Sequence, residues 1–120
     1  MSQVDITKTC ELGNVLVTGG AGFVGQNFVK TLLDRGYNVR SLDLVETPIK
    51  HKNLKVLKGD IRDAVLIRKA VKGIDTIFHT AAVIEMKGGP AATKKYRDFS
   101  YSINVEATKQ LVILARALGV

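Results

Sequence analysis

The sequence predicts an α/β domain built on a doubly wound parallel sheet, with helices on both faces. Three observations carry that expectation. The apolar run at residues 14–17 passes straight into a glycine-rich turn, residues 18–25, and a segment of helical periodicity follows. The strand-then-helix rhythm then repeats, with Gly36, Gly73 and Gly119 each closing an apolar helical pattern. Finally, the segment 76–80, with Ile77 and Phe78 at its centre, runs on into Ala81, Ala82 and Val83, and this apolar-rich stretch reads as a parallel strand covered on both faces.

The glycine turn is the richest element. Gly19 allows a tight exit from the strand, Gly22 lets the backbone approach a pyrophosphate, and Gly25 lets the helix pack closely against the strand. The N–H groups of Phe23 and Val24, at the positive end of the helix dipole, would then face the phosphates. Val24, Phe28, Val29, Leu32 and Leu33 give that helix one apolar face. A second strand at residues 37–42 delivers Asp43, eighteen residues past Gly25. At that distance a dinucleotide fold places an acid that accepts hydrogen bonds from the adenosine ribose. A carboxylate there repels a 2′-phosphate and so favours NAD over NADP. The alternative for Asp43 is a strand-end turn residue, and the direction of Arg40 stays open.

A loop with Pro48 leads to a third strand at 54–58, and Asp63 is placed to cap a helix containing Val65, Leu66, Ala70 and Val71. After the fourth strand comes an irregular stretch from Ile84 to about Tyr101, centred on Gly88, Gly89 and Pro90. A last helix is expected over 102–118, with Ile103, Ala107, Leu111, Leu114, Ala115 and Leu118 on one side. The pattern predicts a fifth strand after Gly119, where the sequence stops at Val120. Crossover rules give the sheet order 3-2-1-4. The glycine turn, Asp43, Asp60 and Ala81-Ala82 all follow strand C-terminal ends, and so share one edge of the sheet.

A chain of 120 residues, 46% of them hydrophobic, fits one domain, with residues 1–13 as a loosely ordered leader and 14–120 as the folded unit. No stretch approaches the ~18 consecutive apolar residues of a membrane span, and the leader lacks a secretory apolar core. Cys10 is the only cysteine, which excludes an intrachain disulfide and fits a reducing, cytoplasmic compartment. The net charge of +7 concentrates at Lys50, Lys52, Lys55 and Lys58 and at Lys87, Lys94, Lys95 and Arg97. These patches carry no aromatic platform or recognition helix, so a solvated surface is preferred to a nucleic-acid site. His79 ends an apolar strand and reads as a packed structural histidine rather than a base. No metal-ligand spacing occurs.

Gly19-x-x-Gly22-x-x-Gly25, Gly59-Asp60-Ile61, His79-x-Ala81-Ala82 and Asn104-Val105 together resemble the N-terminal half of an extended short-chain dehydrogenase/reductase, a Rossmann-type fold. The stretches VLVTGGAGFVGQNFVKTLLDRG and GIDTIFHTAAVIEMKGG look more closely like bacterial 3β-hydroxysteroid dehydrogenases. That resemblance implies that Gly19, Gly22, Phe23 and Val24 hold the NAD pyrophosphate and Asp43 the ribose. It implies that Asp60 and Ile61 flank adenine and that Ala81 and Ala82 supply small side chains beside the cofactor. It implies too that Asn104 fixes active-site backbone or a water. A turn residue is the alternative for Asp60, with the adenine role preferred, and Asn104 is equally a solvent-facing residue.

The family's proton transfer uses a Tyr-x-x-x-Lys pair, in which the lysine lowers the phenol's pKa. Residues four past Tyr37, Tyr96 and Tyr101 are Ser41, Ser100 and Val105, so no tyrosine here fits and no catalytic residue is assigned. The expectation is therefore a truncated NAD-binding portion of a 3β-hydroxysteroid dehydrogenase-like oxidoreductase, binding cofactor without catalysis on its own. A sterol-like substrate belongs only to a longer parent, and self-association through an exposed edge of the fourth strand is expected. The alternatives are the cofactor half of a nucleotide-sugar epimerase or dehydratase, or a basic interaction module without NAD.

Overall fold

The computed structural model describes residues 11–84 and 93–120. Cys10, most of the expected leader, Lys87, and Gly88, Gly89 and Pro90 of the expected loop lie outside them.

Four strands, β1 (Val15–Thr18), β2 (Val39–Asp43), β3 (Leu54–Lys58) and β4 (Thr76–His79), pair in parallel in the order β3-β2-β1-β4. The helices are α1 (Phe23–Asp34), α2 (Ala64–Val71), α3 (Lys94–Tyr101) and α4 (Ala107–Ala117), with a π-helical turn, Ser102–Glu106, joining the last two. This is the expected doubly wound sheet.

β1 is central and wholly buried because both its faces are covered. Val15 and Val17 pack with Val29, Leu32 and Leu33 of α1. Leu16 points the other way, into a cluster with Ile67, Ala70 and Val71 of α2 and with Ile103, Ala107 and Leu111. Asp63 caps α2 as expected, its carboxylate accepting from Val65 N at 3.0 Å and Leu66 N at 3.3 Å. Arg40 closes the other end of the same helix: its guanidinium donates to the carbonyls of Ala70, at 2.9 Å, and Lys72. A cation there complements the negative end of the helix dipole.

Several expectations are corrected. The stretch taken as irregular to Tyr101 contains α3, started by Thr93, whose hydroxyl accepts from Tyr96 N at 3.2 Å. A Lys94–Asp98 ion pair at 2.9 Å supports it one turn apart. α3 is short, polar overall and buries none of its residues, so no sustained apolar run marks it. The expected continuous helix over 102–118 is broken by the π-helical turn, and Leu118 is exposed. Val24 and Val65 face solvent rather than core, while Ile67, not singled out from the sequence, is buried. β4 is half-buried throughout rather than covered, because among the described residues it is an edge strand bonded only to β1.

Candidate functional site

Strand register decides what meets at the sheet's edge. Thr18 pairs with both Leu42 and His79, and Asp43 pairs with Lys58. The residues that leave the strands therefore emerge side by side, and they enclose a cavity of about 330 Å³. Gly19, Gly22, Asp43, Asp60, Ile61, Ala81 and Ala82 all line it. Seven of the expected site residues thus converge, drawn from four segments far apart in sequence.

The turn itself is held by its own backbone. Gly19 N donates to Leu42 O at 2.7 Å, and Gly22 N donates to Gly19 O at 3.0 Å. Gly19 has φ +71°, and a Cβ there would lie 2.8 Å from Ala81 N, so both conformation and space require glycine. Gly22 is different. It has an ordinary extended backbone as the N-cap of α1, and a Cβ would meet nothing nearer than Gly19 O at 3.4 Å. Packing does not demand glycine at Gly22, and the space in front of it is open. Phe23 and Val24 follow with exposed side chains, and helix geometry leaves their N–H groups without intrahelical acceptors.

Gly25 is buried and does not line the cavity. A Cβ there would lie 1.9 Å from Gly19 O, so its close approach is to the turn, not to the strand as expected. Gly20, which the sequence reading passed over, is equally constrained, by Ser41 Oγ at 1.9 Å from a built Cβ.

The carboxylate of Asp43 accepts from Ala21 N at 3.0 Å and from Leu44 N at 2.7 Å. Asp60 is engaged more heavily. Its two oxygens take Nε of Arg62 at 3.0 and 3.1 Å and Nη2 at 2.6 Å, and Oδ1 also accepts Arg62 N at 2.8 Å. The hydrogen bond from the Arg62 side chain holds the Asp60 carboxyl below the usual carboxylate range. Arg62 in turn sits 5.4 Å from the Phe99 ring centroid and 3.4 Å from Ser102 Oγ, joining the cavity wall to α3 and the π-helical turn. The sequence reading missed Arg62, whose partners beyond Asp60 lie far along the chain.

Asn104 is not a wall residue. Its amide Oδ1 accepts from Val83 N at 2.8 Å and its Nδ2 donates to Val83 O at 2.7 Å, copying a strand pairing. It acts on the cavity through Val83, which lines it beside Ile103, Leu44 and Val45, likewise unforeseen. Among the described residues no group of His, Cys, Asp and Glu is placed to hold a metal ion, and no helix is long and apolar enough to cross a membrane.

The profile of the 3-beta hydroxysteroid dehydrogenase/isomerase family matches residues 16–120. The chain belongs to that family. It is 54% identical over 117 residues to the 3 beta-hydroxysteroid dehydrogenase/Delta 5→4-isomerase of Mycobacterium tuberculosis, and 52% identical to the 3-beta-hydroxysteroid dehydrogenase of Mycolicibacterium neoaurum. Each match covers 97% of this chain and 32% of the relative, so the chain spans about a third of the length of those proteins. A short-chain dehydrogenase/reductase superfamily protein from Agrobacterium tumefaciens, solved with bound NAD, superposes with TM-score 0.75 at 30% identity, over 88% of this chain and 30% of that one.

Proposed function

We propose that the cavity at the sheet edge binds NAD, and that this chain is the cofactor-binding portion of a 3β-hydroxysteroid dehydrogenase-like oxidoreductase. The observation that carries the reading is the open position at Gly22. It lies before the first turn of α1 and lines the same cavity as Asp43 and Ala81, where no packing constraint asks for glycine. A cavity of about 330 Å³ falls within the ~300–1,000 Å³ of small-molecule sites.

In this reading Gly19 and Gly22 let the pyrophosphate approach, and the N–H groups of Phe23 and Val24 donate to it. Asp43 keeps lone pairs beyond its bonds to Ala21 and Leu44, and these accept the adenosine ribose hydroxyls. Its negative charge disfavours a 2′-phosphate, hence NAD over NADP. Asp60, steadied by Arg62, accepts from the exocyclic amine of adenine, and Ile61 gives that base an apolar wall. Ala81 and Ala82 are small enough to leave the wall close to the cofactor. Gly25 and Asn104 serve indirectly, the first under the turn and the second through Val83.

When bound, NAD supplies a hydride acceptor, and the longer protein would oxidise a 3β-hydroxyl of a sterol-like substrate to a ketone. The 54% identity to a 3β-hydroxysteroid dehydrogenase favours that chemistry over a nucleotide-sugar epimerase. The sequence given contains no tyrosine followed four residues later by lysine, so it binds cofactor without turning over. β4 is an edge strand, and self-association through it is the expected behaviour of the chain alone. A single cysteine suits the cytoplasm. Calorimetric titration with NAD and with NADP tests the reading: NAD binds and NADP binds more weakly. Equal affinity for both would remove the role given to Asp43.

A further inference from the structure

The imidazole of His79 stands between two hydroxyls. Nδ1 lies 2.5 Å from Thr18 Oγ1 and Nε2 lies 2.9 Å from Thr108 Oγ1. Thr108 donates its only hydroxyl proton to Asn104 O at 2.8 Å, so it meets His79 with a lone pair and Nε2 must carry the hydrogen. Nδ1 is then an acceptor, and Thr18 donates to it. Thr18 Oγ1 keeps a lone pair, on which Ala81 N donates at 3.3 Å. Every proton in the chain has one place to go. The circuit also closes, because Asn104 grips both Val83 N and Val83 O through its amide. It leaves the cavity wall at Ala81 and returns to it at Val83.

We propose that His79, held as the neutral Nε2–H tautomer, is a positioning residue for the Ala81–Val83 wall of the NAD site, and that protonating it loosens that wall. The affinity part of this inference rests on the NAD reading above; the tautomer does not. An imidazolium would present N–H at both nitrogens. Thr18 would have to turn its proton away from the ring, which disturbs the lone pair on which Ala81 N donates. Burial of the ring pushes its pKa below the ordinary histidine value, in keeping with a neutral resting state. The charged groups lining the groove that His79 shares with α4 are Asp75 and Arg116. Asp75 accepts from Asn14 N at 2.7 Å, and on α4 and its approach Lys109 and Glu106 face each other at 4.0 Å.

Nitrogen-resolved NMR of the 120-residue chain tests this directly. The expected result is an Nε2–H imidazole at neutral pH, with the amide resonances of Ala81 and Val83 titrating in step with the ring. NAD affinity should fall by about fivefold as pH drops through the ring's pKa, and His79→Phe should bind as weakly at every pH. Thr108→Val, which keeps the ring but removes its acceptor, should shift the tautomer without unfolding the chain. An Nδ1–H ring, or Ala81 and Val83 amides that stay put while the ring protonates, overturns the proposal. Should the intact chain fail to bind NAD, the functional reading falls, and the tautomer and the two amides still decide the circuit.

Discussion

Asp43 and Ala21 are joined across the cavity mouth by a 3.0 Å hydrogen bond, from the backbone N–H of the glycine turn to the carboxylate at the end of β2. One side chain thus pins the turn and, in the proposed reading, also presents charge to the ribose. Asp43→Ala removes both. NAD binding should weaken by about tenfold to a hundredfold, in line with a hydrogen bond to a charged group worth ~1.5–3 kcal/mol. Calorimetry on the folded variant measures it, and an affinity equal to wild type contradicts the role.

Gly22 and Gly25 should part company under substitution. A Cβ at Gly22 meets only Gly19 O at 3.4 Å, so Gly22→Val should fold with a near-normal melting temperature and lose NAD binding. A Cβ at Gly25 would lie 1.9 Å from the same oxygen, so Gly25→Ala should cost about 1–3 kcal/mol of stability or more. Thermal melts separate the two; a Gly22→Val variant that still binds NAD normally removes the open-path interpretation.

Ser41 carries a hydroxyl that is buried and has no hydrogen-bond partner among the described residues. Burying such a group unpaired is unfavourable. Ser41→Ala should therefore leave stability unchanged or raise it by up to ~1 kcal/mol, and it should relieve the close approach of Gly20. Chemical denaturation checks this; a loss above that size means the hydroxyl has a partner.

The Asp60–Arg62 pair sets a pH dependence of known sign. Asp60 titrates below the ordinary 3.8 in the folded chain, because Arg62 bonds its ionised form. Its contribution to stability is therefore complete above that value and is lost as pH falls through the depressed folded pKa. Arg62→Ala should return Asp60 to the usual range, flatten the acid limb of the stability curve and free Phe99 and Ser102 from the cavity wall. Carboxyl NMR titration reads the shift, and an unmoved Asp60 contradicts it.

The sheet order and about half of the cavity lining were legible in the sequence because they rest on local signals. An apolar run, a glycine turn and an acid at a strand end keep their meaning whatever lies beyond. Asp63 as a cap was legible for the same reason. What escaped was set by distant partners or by one face's surroundings. α3 is short, polar overall and buries none of its residues, so no sustained apolar run marks it, and the π-helical turn at Asn104 leaves no composition signal. β4 reads as a covered strand, yet its position at the sheet edge leaves it half-buried. Arg62 and His79 gain their roles from Ser102 and Thr108, forty and twenty-nine residues away, and no spacing rule reaches that far.

The central claim is that the cavity is a cofactor cradle, and titrating NAD into the intact chain beside Gly22→Val tests it most directly. The account predicts saturable binding to the first and none to the second, with both folded. A folded wild-type chain that shows no binding at millimolar NAD would contradict it.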